Sequence, residues 1–352
     1  MRNKRILLIG PFPPPIGGVS IHLKRLSKLI ENDFDLDFID ESRLIKNDFF
    51  NIRNFKLVQY FRKIIKSDLI FVHSGSNILR IFHLVIGCIT SKKIILTIHS
   101  YPYTKKFFLR YMDEFFFKLA NTIIIVNSEF LGRISLPNQK CIVRSAYLPP
   151  VMETEPDLPA NVSDWITIRK NNGKVIICGN ATRLKIFNNE DLYGLDICID
   201  VASKLIGNGF PTSFVFNVSS LDGGENLYFK YQSMVEKLDL CEDFLLLNEN
   251  LSFVRLIEQA DIVLRPTNTD GDALTVREAL YLSKPVIASD IVNRPSGTTY
   301  FKSRDANDLR IKIIEIINKE TKVPENQLNR CEKEYRMFYS ELIIKTLNLN
   351  KR

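Results

Sequence analysis

The chain has six cysteines in 352 residues, Cys88, Cys141, Cys178, Cys198, Cys241 and Cys331, and no two stand at C-x-x-C spacing. Most lie in or beside apolar runs, as reduced core thiols do. A structural cysteine–metal site is therefore not expected, and a reducing compartment is. Long hydrophobic runs are missing too. The longest apolar segment, ILRIFHLVIGCIT, is broken by Arg80 and His83, so nothing approaches the ~20 apolar residues of a membrane-spanning helix. Near the N-terminus the apolar run ILLIG is five residues, short of the roughly 7–15 of a secretory signal peptide. A cytoplasmic location is expected. The G-x-G-x-x-G fingerprint is absent, which weighs against NAD, and so are the Walker A, H-E-x-x-H and G-x-S-x-G motifs.

What remains is a globular composition, 45% apolar and 25% charged. At this length one ordinary core is too small, and two domains are expected. The net charge of +8 suits phosphate-bearing partners, whether nucleic acid, anionic lipid or nucleotide-sugar. It does not choose among them.

Short β-rich runs alternate with helix-length amphipathic stretches. RILLIG (5–10), DLDFID (35–40), DLIFVH (68–73), KIILTIH (93–99), TIIIVN (122–127) and KCIVRS (140–145) read as strands. Such alternation predicts a parallel sheet with helices on both faces. It stops at AYLPPVMETEPDLPA (146–160), whose four prolines mark a linker. It resumes with KVIICG (174–179), SFVFNV (213–218), DFLLLN (243–248), DIVLRP (261–266) and PVIASD (285–290), and a helical tail closes the chain. The fold class expected is α/β with two Rossmann-like domains, residues 1–150 and 151–335, followed by a tail over 336–352.

In such sheets ligands bind beyond the carboxyl ends of the strands, so the residues there are the candidates. After the first strand, Gly17 and Gly18 precede a helix, where bare backbone N–H groups can approach an anion. His73 and His99 follow the third and fourth strands at equivalent places. His22 and His83 fall inside helical patterns and read as structural. Asp35-Leu36-Asp37 matches a metal-binding D-x-D, but its alternation with Phe34 and Phe38 says strand. In the second half stands DGDALTVRE (270–278). By itself, Thr275-Val276-Arg277-Glu278 fits a capping box, with Asp270 and Asp272 as turn residues favoured by the helix dipole.

Asp270-Gly271, a helix with Glu278 eight residues on, and KPVIAS as the next strand together resemble the retaining glycosyltransferases of GT-B fold. Many of these, of the family 4 type, build bacterial surface polysaccharides such as O-antigen or capsule. PPPIGGVSIHL, TIHS, IVNSEF and YGLDICIDVASKL are similar to that family as well, so the resemblance spans residues 5–301. It implies two Rossmann-like domains facing each other across a cleft, with the C-terminal helix returning to the first. It also implies transfer of a sugar from a nucleoside-diphosphate donor, UDP favoured, to a glycan or lipid-linked glycan acceptor. Glu278 would hold the ribose hydroxyls, and Leu274 and Thr275 would meet the diphosphate beside Gly271. Gly17 and Gly18 would line the donor from the other domain. Asp270 would hold donor-sugar hydroxyls, His99 would sit near the reacting carbon, and His73 and Ser100 would lie on the acceptor side. No sequence context marks a carboxylate nucleophile, so retention would come from same-face attack assisted by the leaving diphosphate.

Three positions depart from the family. Asp270 replaces its usual Glu, Gly179-Asn180 stands for its Gly-Arg, and Tyr193-Gly194 for its Lys-Gly. The lost cations normally stabilise the developing diphosphate charge; Arg183 and Lys185 are the expected substitutes. No cofactor and no metal are expected.

Two basic aromatic segments remain, RNFKLVQYFRKIIK (53–66) and KKFFLRYMDEFFFKLA (105–120). In the second, Phe108, Tyr111, Met112 and Phe115 fall at helical spacing. The ordinary reading is a core-facing stripe with a solvated opposite face. Basic aromatic helices also suit an anionic membrane surface, which would make the protein peripheral at the inner face of the cell membrane. The competing functions are a nucleotide-sugar epimerase of the same fold and a basic nucleic-acid binder. The dispersed cations disfavour the latter.

Overall fold

A computed structural model describes residues 4–14, 17–99, 107–126, 136–271, 273–318 and 328–349. The chain divides into two compact units, one of residues 1–148 with 330–352 and one of residues 149–329. Among the described residues no helix is long and apolar enough to cross a membrane.

The first unit runs β1 (Arg5–Gly10), α1 (Gly18–Ile30), β2 (Asp35–Asp40), α2 (Leu57–Lys66), β3 (Leu69–Val72), α3 (Asn77–Ile89), β4 (Lys93–Ile98), α4 (Phe107–Phe117), β5 (Thr122–Ile125) and β6 (Cys141–Val143). Its sheet has the order β2-β1-β3-β4-β5-β6 with every pair parallel. The inner strands β1, β3, β4 and β5 are mostly apolar and buried because both faces are covered, whereas the edge strand β2 alternates apolar residues with Asp35 and Asp37. Leu7 and Ile9 of β1 enter one core with Tyr60, Ile64, Leu84 and Phe117 from α2 to α4. Ile6 and Leu8 enter the other with Leu23 and Leu26 of α1.

The second unit runs α5 (Ala160–Asn171), β7 (Val175–Ala181), β8 (Ile186–Phe187), β9 (Glu190–Asp191), α6 (Leu195–Gly207), β10 (Thr212–Val218), α7 (Glu225–Lys237), β11 (Phe244–Leu247), α8 (Phe253–Gln259), β12 (Ile262–Arg265), α9 (Leu274–Tyr281), β13 (Val286–Ser289), β14 (Thr299–Phe301) and α10 (Ala306–Asn318). Its sheet, β11-β10-β7-β12-β13-β14, is again wholly parallel, and β8 and β9 form a small antiparallel hairpin.

The last helix, α11 (Leu328–Asn348), returns to the first unit. Tyr339, Leu342 and Ile343 join the core beside α1. Arg336 Nε and Ser340 Oγ donate to Asp33, and Thr346 pairs with Thr122 at 2.8 Å.

Of the two basic aromatic segments, α2 turns Tyr60 and Ile64 to the core, whereas the described part of the α4 stripe faces outward. On α2 only Tyr60 and Ile64 are buried, while Val58 is 75% and Ile65 64% exposed, and Leu57 and Phe61 are exposed too. On α4 the buried side chains include Asp113, Glu114 and Phe117, whereas Tyr111, Met112 and Phe115 face outward. Asp113 accepts a hydrogen bond from Asn77 at 2.8 Å, so the inward position suits a carboxylate. The side chain of Phe108 lies outside the described residues.

Candidate active site

Each sheet reverses its strand order once, between β1 and β3 in the first unit and between β7 and β12 in the second. Beyond the carboxyl ends of strands at such a switch is where open α/β sheets hold ligands. The residues after those strands therefore carry the argument.

In the second unit α9 starts at Leu274 with Ala273 as its N-cap, and among the described residues no side chain caps it. The capping box does not form. The Thr275 hydroxyl donates instead to Asn180 Oδ1 at 3.1 Å, joining the helix to the end of β7. The first-turn N–H groups lack intrahelical acceptors, and they stand at the positive end of the helix dipole. Glu278 is buried one turn further in. At Gly271 an added Cβ would meet nothing within 4 Å, so the space before the helix is open. Asp272 lies outside the described residues.

Asp270 does not stand free to receive sugar hydroxyls. Its oxygens accept from Arg265 Nε at 2.9 Å and Nη2 at 3.1 Å, Arg294 Nη1 at 2.9 Å, Thr267 Oγ1 at 3.2 Å and its neighbour Gly271 N at 3.0 Å. A carboxylate has about four lone-pair sites, so these donors already saturate it. Burial alone would raise its pKa, but the charges and hydrogen bonds of Arg265 and Arg294 outweigh that and hold it at about 2. In this geometry Asp270 holds two arginines.

Where the resembled family carries Lys this chain has Tyr193. The guanidinium of Arg265 lies over the ring of Tyr193, 5.3 Å from its centroid. Gly194, with φ +70°, lets this turn approach Pro266, whose carbonyl oxygen would be 2.3 Å from an added Cβ. Asp191, buried, anchors the turn by accepting from Tyr193 N at 2.7 Å and Gly194 N at 3.1 Å. The expected substitutes, Arg183 and Lys185, are exposed at the start of the β8–β9 hairpin. Among the described residues neither side chain has a hydrogen bond or ion pair to Asp270, Thr275 or Glu278. Among the described residues, the cations paired with Asp270 ahead of α9 are Arg265 and Arg294. Arg265 ends β12, so the strand-end rule pointed to it. Arg294 lies in the loop after β13 with no local motif around it.

In the first unit Gly17 is the N-cap of α1, and its N–H donates to Ser20 Oγ at 2.9 Å. A Cβ at Gly17 would meet only Ser20 Oγ at 3.9 Å, and at Gly18 nothing within 4 Å. Packing demands neither glycine. Ser100 lies outside the described residues.

His73 and His99 come together as the strand-end rule expects, with His73 Nδ1 3.1 Å from His99 Nε2. His22 joins them, its ring centroid 5.0 Å from each. Sequence reasoning set His22 apart as structural because helical periodicity does not reveal what the inner face of a helix meets. Gly10 permits the approach, since a Cβ there would lie 2.6 Å from Leu23. His22 Nδ1 faces the Ala146 carbonyl at 2.6 Å, so it carries the proton, leaving Nε2 a bare lone pair. His73 Nε2 is buried with no hydrogen bond. An orphaned buried N–H is rarer than an orphaned acceptor, so the proton of His73 sits on Nδ1 and is donated to His99. His99 then keeps its own proton on Nδ1, the donor it can offer a ligand.

All three rings are held neutral. Burial pulls His22 down to about 4, against the hydrogen bond to Ala146 and helped by the charge of Arg25. Burial, then the charge of His22, puts His73 and His99 well below the usual range. One nitrogen from each ring lies within 4.8 Å of the others. Among the described residues this trio is the group that could share a metal ion. His83 is instead a buried link between Tyr60 Oη at 2.9 Å and Glu41 Oε1 at 3.0 Å.

Neither a family model nor a curated protein matches the chain. Solved structures do. The chain is similar to HepE from Anabaena in complex with UDP, at 12% identity and TM-score 0.64, with 98% of this chain and 97% of that one covered. A glycosyltransferase from Rickettsia africae matches at 16% identity and TM-score 0.62, covering 99% and 96%. TarM matches at 12% identity and TM-score 0.64, covering 99% of each chain. The architecture is that of the GT-B glycosyltransferases: two Rossmann-like units, each built on a parallel six-stranded sheet.

Proposed function

We propose that the protein is a retaining glycosyltransferase that takes its sugar from a nucleoside-diphosphate donor, UDP favoured. The second unit is the donor half. The observation that carries this reading is the junction of α9 with β7. A helix start that no side chain of the described residues caps, tied by Thr275 to Asn180 at the strand switch, presents N–H groups to an anion, with the buried Glu278 carboxylate one turn behind. A diphosphate at the helix start and ribose hydroxyls on Glu278 fit that spacing, at ~1.5 Å of rise per residue. Solved neighbours of the same fold hold UDP and UDP-glucose, which supports the choice of base.

The acceptor in this reading is a growing glycan on a lipid diphosphate, in surface-polysaccharide synthesis, and the first unit is the acceptor half. Its outward helices support contact with an anionic membrane at the inner face of the cell membrane. Val58, Phe61 and Ile65 of α2 are exposed alongside Lys56, Arg62 and Lys66, and Phe115 of α4 is 57% exposed. An apolar stripe flanked by cations is what an interfacial helix needs. Retention rests on the resemblance, since no carboxylate is marked as a covalent nucleophile. No cofactor and no metal enter the reaction, because helix N–H groups and arginines take the diphosphate charge.

The test is calorimetric binding of UDP, GDP and ADP, followed by transfer assays pairing UDP-sugars with lipid-diphosphate sugar acceptors. Binding of UDP with sugar transfer supports the reading. Donor turnover into an epimer without acceptor would replace it with an epimerase, and absence of any nucleotide binding would end it.

A further inference from the structure

Arg294 is the least satisfied cation of the candidate site. Its side chain is 1% exposed. Nη1 donates to Asp270 Oδ2 at 2.9 Å and reaches Gly271 O at 3.5 Å. Nε and Nη2 are buried and make no hydrogen bond among the described residues. Its backbone is fixed as well, with Arg294 N donating to Tyr300 Oη at 2.7 Å. Buried donors are costly to leave unmade, above all on a charged group. Asp270 cannot take them, because its lone pairs are spent on five donors. With Arg265 and Arg294 against one Asp270, the cluster carries a net positive charge. It adjoins Gly271, three residues before the start of α9, which no side chain of the described residues caps. A guanidinium offering two N–H groups beside free helix N–H groups has the donor set and charge for a planar or tetrahedral oxyanion.

We propose that Arg294 is a donor-binding residue of this chain, its Nε–H and Nη2–H taking an oxyanion of the bound nucleotide-sugar, with Asp270 as the residue that positions it. The oxyanion is a diphosphate oxygen or a carboxylate carried by the sugar. The inference rests on the nucleotide-sugar reading above and names the residue that replaces the cations missing at Asn180 and Tyr193.

The experiment is calorimetric titration of wild type, Arg294→Gln and Arg294→Lys with UDP, UDP-glucose and UDP-glucuronate, with melting curves for each protein. Lysine keeps the charge and can still meet Asp270, but it loses the planar fork, so it serves if the glutamine variant does not fold. At least a tenfold loss of affinity is expected in both variants. An equal loss for all three ligands assigns Arg294 to the diphosphate. A loss confined to UDP-glucuronate assigns it to a sugar carboxylate. Loss for both sugars with UDP untouched would place a neutral hydroxyl there and overturn the oxyanion, as would affinities within twofold of wild type throughout. If wild type binds none of the three, the nucleotide-sugar reading itself fails. If wild type binds and the variants are unchanged, only the Arg294 inference does. Asp270→Asn should weaken the same ligands, and adding it to Arg294→Gln should cost nothing more. A purely structural carboxylate would instead give additive losses.

Discussion

The hydroxyl of Thr275 donates to Oδ1 of Asn180 at 3.1 Å, across 95 residues of sequence. Thr275 lies inside α9, whose N-cap is Ala273, so it is not the cap of its helix. Glu278→Gln should lower donor affinity or kcat/KM at least tenfold, because one acceptor oxygen replaces two and charge-assisted hydrogen bonds of about 1.5–3 kcal/mol are lost. The melting temperature should stay within about 3 °C of wild type, the shift expected for roughly 1 kcal/mol. An early-melting variant that binds UDP normally would return Glu278 to a packing role.

The histidine trio makes stability depend on pH. In the unfolded chain His22 binds a proton below its ordinary value of 6.5, whereas folded it resists protonation down to about 4. The unfolded state holds more protons across that window, so stability rises with pH and falls as pH drops from about 6.5 toward 4. For His22 alone the loss is on the order of 3 kcal/mol, and His73 and His99 act in the same direction. His22→Asn keeps a donor for the Ala146 carbonyl and removes the titration. Its melting temperature, followed from pH 7 to pH 4, should fall less than that of wild type; parallel curves would contradict the assignment.

On the proposed reading, in which arginines and helix N–H groups take the diphosphate charge, transfer is expected to need no metal. Excess EDTA should leave transfer within about twofold of its starting rate. Complete loss, restored by a divalent ion in wild type but not in His22→Asn, would make the histidine trio a metal centre that the reaction needs.

Lys63 of α2 is held by Asp37, so Lys56, Arg62 and Lys66 are the cations left to meet a membrane. Changing these three to Gln should weaken partition onto vesicles containing anionic lipid about a hundredfold, at on the order of 1 kcal/mol each. Val58, Phe61 and Ile65 changed to Ser should weaken it further without altering the salt dependence. Binding unchanged in both variants would remove α2 from the interface.

Much of the chain was decided locally. The twofold run of strand–helix alternation and the break at residues 146–160 follow from patterns that a few neighbouring residues settle: apolar runs long enough for a strand covered on both faces, prolines, and helical spacing. Strand-end position likewise found His73 and His99, and Thr275 and Glu278 beside the β7–β12 switch. Other features had no local mark. That Arg265 and Arg294, 29 positions apart, close on one Asp270 depends on β12 lying between β7 and β13. That His22 faces His73 depends on how tightly α1 packs over Gly10. The outward turn of Tyr111, Met112 and Phe115 went against the pattern, because helical spacing shows that residues share a face and not which face is buried. Periodicity is a property of adjacent residues, whereas the order of strands in a sheet is settled by burial over the whole unit. That order chose which charges meet at the site.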